Sequence, residues 1–202
     1  NKVWPSIEKK MLDSILQNNA VDGFSEKRRI FTDSGEIVFY GIDDKIETKY
    51  PLIPIGELFN TEEKGSLASS DADPKGECIF ITAAKEWARH SVADKNCEAI
   101  VYVCDSEGSY GRAHYINGEF IASNLCRILT PKNPEKYPIN LEFYHYYFNS
   151  IREKIISDIA IGTSKLTLRE RHLNSYKIEY IPIDEQNEML SKIKERESEL
   201  KL

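Results

Sequence analysis

No two of the four cysteines, Cys78, Cys97, Cys104 and Cys126, stand as C-x-x-C. That spacing excludes a zinc ribbon and a dense disulfide framework, and it fits reduced, mostly buried thiols in a cytoplasmic protein. No apolar run approaches the roughly 18 residues of a membrane span, and the first residues lack the charged-then-apolar layout of a secretory leader. The four histidines, His90, His114, His145 and His172, form no pair at ligand spacing, so they read as scattered surface or core residues and no metal is expected. Acid-x-lysine triplets of the nuclease kind occur at Glu47-Thr48-Lys49 and Asp73-Pro74-Lys75. In a chain with 30% charged residues they are expected by chance, and neither sits on a strand-like run.

The 202 residues, 41% of them hydrophobic, suffice for one main core and a small appendage. A net charge of -6 argues against a protein that coats nucleic acid, which needs a broad basic surface. The charge is segregated, however. From Ile161 to Lys177, Lys165, Arg169, Arg171 and Lys177 stand against Glu170, a local +3, with His172 as a further potential cation. From Glu57 to Cys78 six acids stand against Lys64 and Lys75, a local -4. Two faces of opposite sign are expected.

Along the chain, Trp4-Pro5-Ser6 opens a stripe of Ile7, Met11, Leu12, Ile15 and Leu16, which predicts an amphipathic helix ending near Asn18-Asn19. Arg29-Thr32 and Glu36-Tyr40 flank Asp33-Ser34-Gly35 and predict a hairpin. The polar stretch before Pro51 and Pro54 sets a boundary between an appendage, residues 1–50, and a main domain, 51–183. Strands are expected at Cys78-Thr82, Ala99-Cys104, Ala113-Ile116, Phe120-Ala122 and Cys126-Leu129, with Asn117-Gly118 as a type I′ hairpin turn. Phe143, Tyr147, Ile151, Ile155 and Ile159 recur every four residues and predict one helix from Leu141 to Ile159. Residues 184–202 predict a last helix with Met189, Leu190, Ile193 and Leu200 on a thin apolar stripe, which needs a partner helix.

The serial order of short motifs is the informative feature. Ile53-Pro54-Ile55-Gly56-Glu57-Leu58-Phe59, Lys64-Gly65, Phe80-Ile81-Thr82, Asp105-Ser106-Glu107-Gly108-Ser109-Tyr110-Gly111, Phe120-Ile121-Ala122-Ser123, the aromatic run Leu141 to Phe148, Gly162-Thr163-Ser164-Lys165-Leu166 and Ile181-Pro182-Ile183-Asp184-Glu185-Gln186 together resemble a target recognition domain of type I restriction-modification specificity subunits. The equivalent C-terminal domain of a fused adenine methyltransferase/restriction enzyme is similar. The resemblance covers about residues 52–202. It implies a mixed α/β (α+β) fold, with a small curved sheet and packed helices followed by a long C-terminal helix that pairs with another helix. It also implies sequence-specific reading of double-stranded DNA on behalf of a DNA adenine methyltransferase subunit, with a restriction subunit, or a second copy through the C-terminal helix, as a further partner. S-adenosylmethionine, Mg and ATP would then belong to partner subunits. A full specificity subunit carries two such halves. One half is present here, as in a half-length subunit, a trimmed chain or the C-terminal part of a fused polypeptide. An adenine methyltransferase needs a glycine-rich cofactor loop and an Asp/Asn-Pro-Pro-aromatic tetrad; neither occurs, and Asn133-Pro134-Glu135 is not that tetrad.

The DNA-contacting candidates on these pieces are Lys64, Ser66, Thr82, Lys85, Arg89, Ser106, Ser109, Tyr110, Arg112, Thr163, Ser164, Lys165, Arg169 and Arg171. By its residues alone the Asp105-to-Gly111 loop reads as a plain hairpin connection; the resemblance implies instead backbone and hydroxyl donors for phosphate and base edges. Arg112 and Lys165 are candidate base or phosphate donors, and Arg169 and Arg171 with His172 suit a phosphate grip. The segment around Trp87 reads either as a short helix with Trp87 in the core or as an exposed loop with Lys85 and Arg89 toward the groove. Tyr144 to Tyr147 at helical spacing are expected to pack the sheet rather than stack on bases. Gln186, Met189, Leu190, Ile193 and Leu200 are the candidates for a partner-binding helix, and removal of Gln186 to Leu202 is expected to abolish assembly and leave the domain folded. The alternative is a protein-interaction module that uses the acidic face and the last helix and reads no DNA.

Overall fold

The computed structural model describes residues 29–31, 37–39, 49–106, 108–160 and 167–200, with only the backbone given for the first two segments and for Leu200. The predicted helix near Trp4 to Asn19 lies outside the described residues. The hairpin is present: β1 (Arg29–Phe31) pairs antiparallel with β2 (Ile37–Phe39), Ile30 opposite Val38.

The main body begins with β3 (Leu52–Pro54), the single turn α1 (Ile55–Leu58) and β4 (Phe59–Asn60). Strands β5 (Cys78–Ile81), β6 (Ala88–His90), β7 (Lys95–Val103), β8 (Ala113–Ala122) and β9 (Cys126–Pro131) follow. The chain ends in α2 (Leu141–Ser150), α3 (Arg152–Ile159), α4 (Glu170–Ser175), β10 (Lys177–Glu179) and α5 (Ile183–Leu200). Six strands form one sheet in the order β4-β9-β7-β8-β5-β6, antiparallel except for β5 beside β8. β10 pairs separately with β3.

Phe120 lies opposite Lys95 and Cys126 opposite Val103, at the two ends of β7. The short span from Phe120 to Cys126 joins these ends only if the β7–β8 ribbon coils, and the sheet is curved accordingly. Both of its faces are buried. On β7, Ile100 and Tyr102, with Cys104 just past its end, enter the larger core under the helices, while Ala99, Val101 and Val103 enter a second core with Ile81, Ile116, Phe120 and Ile128. This two-sided burial explains why the centre of β7 reads as an unbroken apolar run.

The expected turn at Asn117-Gly118 is not one. β8 runs through it, Asn117 opposite Glu98 and Gly118 opposite Cys97, and Gly118 takes φ +131°. Pairing along the whole length of β7 outweighs the local turn preference, and glycine lets the strand pass. The predicted helix 141–159 is two helices, broken at Ile151 (φ -105°, ψ 10°). Ser150 Oγ donates to Tyr147 O at 2.7 Å, and this local bond competes with the helical ladder. Ile181-Pro182-Ile183 forms no strand: β10 lies earlier, at Lys177–Glu179, Pro182 has no N–H for a ladder, and Ile183 already begins α5. Ala88–His90 is an edge strand and Trp87 is 41% exposed, so the expected short helix with Trp87 in the core does not form.

The last helix has the partner helix that its thin stripe requires, and that partner lies in this chain. Gln186, Met189, Leu190 and Ile193 are buried in this chain, the three apolar side chains within the core that holds α2. Tyr146 Oη donates to Glu197 and Lys194 pairs with Glu142 across the same contact. The thin stripe of α5 thus has its partner in α2 of the same chain, each buried apolar side chain contributing roughly 1.5–3 kcal/mol. Leu200 ends α5. Cutting the chain at Gln186 would open the core rather than leave the domain folded.

Candidate nucleic-acid interface

At one end of the curved sheet four stretches of chain meet around Asp105. Lys64 Nζ pairs with Asp105 Oδ2 at 3.0 Å, and Thr167 Oγ1 donates to Asp105 Oδ1. The backbone N–H groups of Cys104 and Asp105 both donate to Leu125 O, and Leu168 N donates to Cys104 O at 3.0 Å. Asn124 N bonds Leu67 O, and Gly65 N bonds Cys126 O. Gly65 is required there, because a Cβ would stand 2.1 Å from Ser123 O. One carboxylate therefore joins the loops before β5, after β7 and before α4, while the β8–β9 link is tied to them by backbone.

The loop after β7 is held from below. Arg152 Nε donates to Tyr110 O at 2.6 Å and its NH2 group to Gly108 O at 2.8 Å. Gly108 (φ +75°) and Gly111 (φ +70°) allow the reversal. Arg112 donates to Ala83 O at 2.8 Å and Ser109 Oγ at 3.3 Å, which brings the Thr82–Trp87 stretch to the cluster. Asn149 clamps both backbone groups of Ala113.

The structure brings Lys64, Ser106, Ser109 and Arg112 together with the Lys85 loop. It removes two candidates from direct contact. Tyr110 is 1% exposed and packs in the main core, because the turn at Gly111 points its ring inward. Thr82 is buried, and its Oγ1 accepts from Ala84 N. Arg89 is exposed on the edge strand β6 and bonds Glu77 O, and Ser66 Oγ faces Asp94 at 3.4 Å. Thr163, Ser164 and Lys165 lie outside the described residues. Arg169 and Arg171 are exposed at the start of α4. Glu170, the acid between them, is paired with Arg127 at 2.8 Å, which leaves that rim more positive than the sequence count suggests. Asp105, Arg127 and Arg152 are the positioning residues that sequence reasoning missed. Each acts on backbone or loops distant in sequence, and no spacing rule marks such a role.

Behind the Lys85–Trp87 loop lies a pocket of about 390 Å³ between β8, α2 and the start of α3. It joins His114 and His145, which spacing had left unrelated. Burial, with help from Arg112, His145 and Arg152, lowers His114 from 6.5 to about 4, and burial lowers His145 to about 4. Both rings are neutral in the folded protein near neutral pH, whereas the unfolded chain takes up protons near pH 6.5. Stability is therefore expected to fall as pH drops from about 6.5 toward 4, by roughly 1–2 kcal/mol per ring at pH 5. Urea midpoints at pH 7 and pH 5 measure this, and the drop should shrink in His145→Gln. The buried thiols Cys104 and Cys126 are pushed up to about 12 and about 11, first by burial, which keeps them unreactive. Among the described residues no group of three or more His, Cys, Asp or Glu is arranged to hold a metal. No described helix is long and apolar enough to cross a membrane.

Comparison with known proteins adds the following. A family profile described as type I restriction modification DNA specificity domain matches residues 24–201. No curated protein sequence matches the chain. Among solved structures, the S subunit of the type I restriction-modification system from M. genitalium superposes with a TM-score of 0.57 at 18% identity, covering 73% of this chain and 38% of that one. The HsdS subunit from Thermoanaerobacter tengcongensis gives 0.54 at 12% identity, covering 96% and 44%. A chain from work on complex assembly and conformational transition of the type I R-M system gives 0.56 at 12% identity, covering 96% and 46%. These superpositions establish a shared fold, and this chain spans less than half the length of each of those proteins.

Proposed function

The chain belongs to the family of type I restriction modification DNA specificity domains, and from that premise we propose that it reads one half of a split site in double-stranded DNA through the loops gathered at Asp105. The observation that carries the proposal is the Asp105 junction itself. It fixes several loops against one another at the end of a rigid sheet, as readout of base edges in the major groove requires. Lys64, Ser106, Ser109 and Arg112, with Lys85 and the Thr163-Ser164-Lys165 segment, are the proposed base and near-phosphate contacts. Arg169 and Arg171 are the proposed phosphate grip.

In this reading the chain carries specificity and no chemistry. Methylation and cleavage, with S-adenosylmethionine, Mg and ATP, are assigned to a DNA adenine methyltransferase and a restriction subunit in the cytoplasm. The inner face of α5 is occupied, so such partners would meet its outer face, which carries Glu188, Lys192, Glu195, Arg196 and Glu199.

The phosphate grip is tested by Arg169→Gln/Arg171→Gln. Affinity is expected to fall by a similar factor for every duplex sequence, and the slope of log affinity against log salt to become shallower by about 2. An unchanged slope places the grip elsewhere.

A further inference from the structure

We propose that Trp87 is a specificity-determining contact of the reading surface, its ring packed on the C5-methyl group of a thymine in the major groove, a role that rests on the DNA-reading assignment above.

Trp87 is fixed in place. Its Nε1–H donates to Nδ1 of buried His114 at 3.1 Å, and the two rings meet edge to face at 6.3 Å. Burial keeps His114 neutral, so Nδ1 is available to accept. The residue after Trp87 begins β6, where Ala88 lies opposite Phe80 of β5. Upstream, Ala84 N donates to Thr82 Oγ1 at 3.2 Å. The ring is nonetheless 41% exposed. Leu52 and Val92 are exposed as well, and single apolar side chains at a surface are ordinary. An indole that turns its N–H inward and its carbons to water is not, because the polar tip of an amphipathic side chain usually stays wet.

The bond to His114 decides what the exposed part can recognise. Nε1 is the one polar atom of the side chain, and with it engaged the outward surface is carbon. Such a surface neither donates to nor accepts from a base edge or a phosphate. In the major groove the ring nitrogens, carbonyls and amino groups of the bases all call for hydrogen bonds, and the thymine methyl is the apolar group among them. A rigid carbon ring held there discriminates thymine from the other bases.

The placement favours DNA over a protein partner. Arg112 donates to Ala83 O at 2.8 Å and to Ser109 Oγ at 3.3 Å. The stretch that carries Trp87 is therefore bonded to the loop after β7, which starts at the Asp105 junction. Trp87 is thereby held in register with the loops assigned to base contacts.

The test uses duplexes carrying the motif selected by the full chain, each with one thymine replaced by deoxyuridine, which keeps the base pair and removes the methyl group. Affinities are measured for the unaltered chain and for Trp87→Ala. At one thymine the replacement is expected to weaken binding by the unaltered chain about fourfold, the effect of one buried methyl group. The same replacement should leave Trp87→Ala unaffected, so that the two changes are not additive. In Trp4→Phe, which leaves Trp87 as the sole tryptophan, emission should change when the thymine duplex binds. Equal effects in both chains at every thymine, or bound duplex without a change in Trp87 emission, overturn the contact and leave the DNA-reading assignment standing. Full DNA affinity in Trp87→Ala with weaker capture of a DNA adenine methyltransferase subunit assigns the ring to a protein interface and also overturns it. Failure to select any motif overturns both. If Trp87→Ala does not fold, the emission of Trp4→Phe on thymine and uracil duplexes still decides.

Discussion

Replacing Gln186 with leucine is expected to lower the stability of the domain by about 4 kcal/mol, although the two side chains are similar in volume. Gln186 is fully buried, and its amide closes three bonds: Oε1 accepts from Asn140 N at 2.7 Å, and Nε2 donates to Pro138 O at 3.0 Å and Ile181 O at 2.7 Å. Asn140 is also the N-cap of α2, its side chain accepting from Phe143 N at 3.0 Å. The same amide thus fixes the start of α5, the start of α2 and the link before it. Leucine leaves one donor and two acceptors buried and unpaired, each costing about 1–3 kcal/mol before relaxation. For a domain of this size the melting temperature should drop by about 8–16 °C. Asn187→Ala is the control. It removes an exposed bond to Asn140 Nδ2 on the outer face of the same helix and should cost less than about 1 kcal/mol. Equal losses in the two variants would contradict burial of the inner face of α5 in this chain.

Asp105→Ala is expected to separate specificity from affinity. The substitution releases Lys64 and Thr167 at once, so the loops lose their common register and selectivity for the cognate duplex over random DNA should fall about tenfold, or 1.4 kcal/mol. Removing a negative charge beside Lys64 should at the same time leave binding to random DNA unchanged or slightly tighter. Asp105→Asn, which keeps acceptor atoms but not the charge, should fall between. Competition titrations with cognate and random duplexes measure both quantities. A parallel loss on both duplexes would make Asp105 a general support of the fold rather than the junction of a reading surface.

The parts legible in the sequence were those governed by local periodicity. The apolar runs of β7 and β8, the aromatic stripe of α2 and the turn residues of the hairpin β1–β2 are local signals, and the ordered motif series pointed to the family that the profile match establishes. What escaped was set by contacts between distant segments. Asn117-Gly118 has turn chemistry, but the long pairing of β7 with β8 overrides it. The stripe of α5 gives no sign of whether its partner is α2 or another chain, because both would want the same apolar face. Tyr110 sits in a loop rich in glycine and serine, and only the reversal at Gly111 turns it into the core. His114 and His145 meet because β8 packs under α2, a neighbourhood that no ligand spacing encodes.

The most direct measurement of the central claim is selection of a randomised duplex pool by this chain together with a DNA adenine methyltransferase subunit, with the retained DNA sequenced across a salt series. Enrichment of one short motif that persists as salt rises is the predicted result, since base readout survives when phosphate attraction is screened. Retention without enrichment, lost steeply as salt rises, would contradict it and leave the acidic face and the last helix as surfaces for protein partners instead.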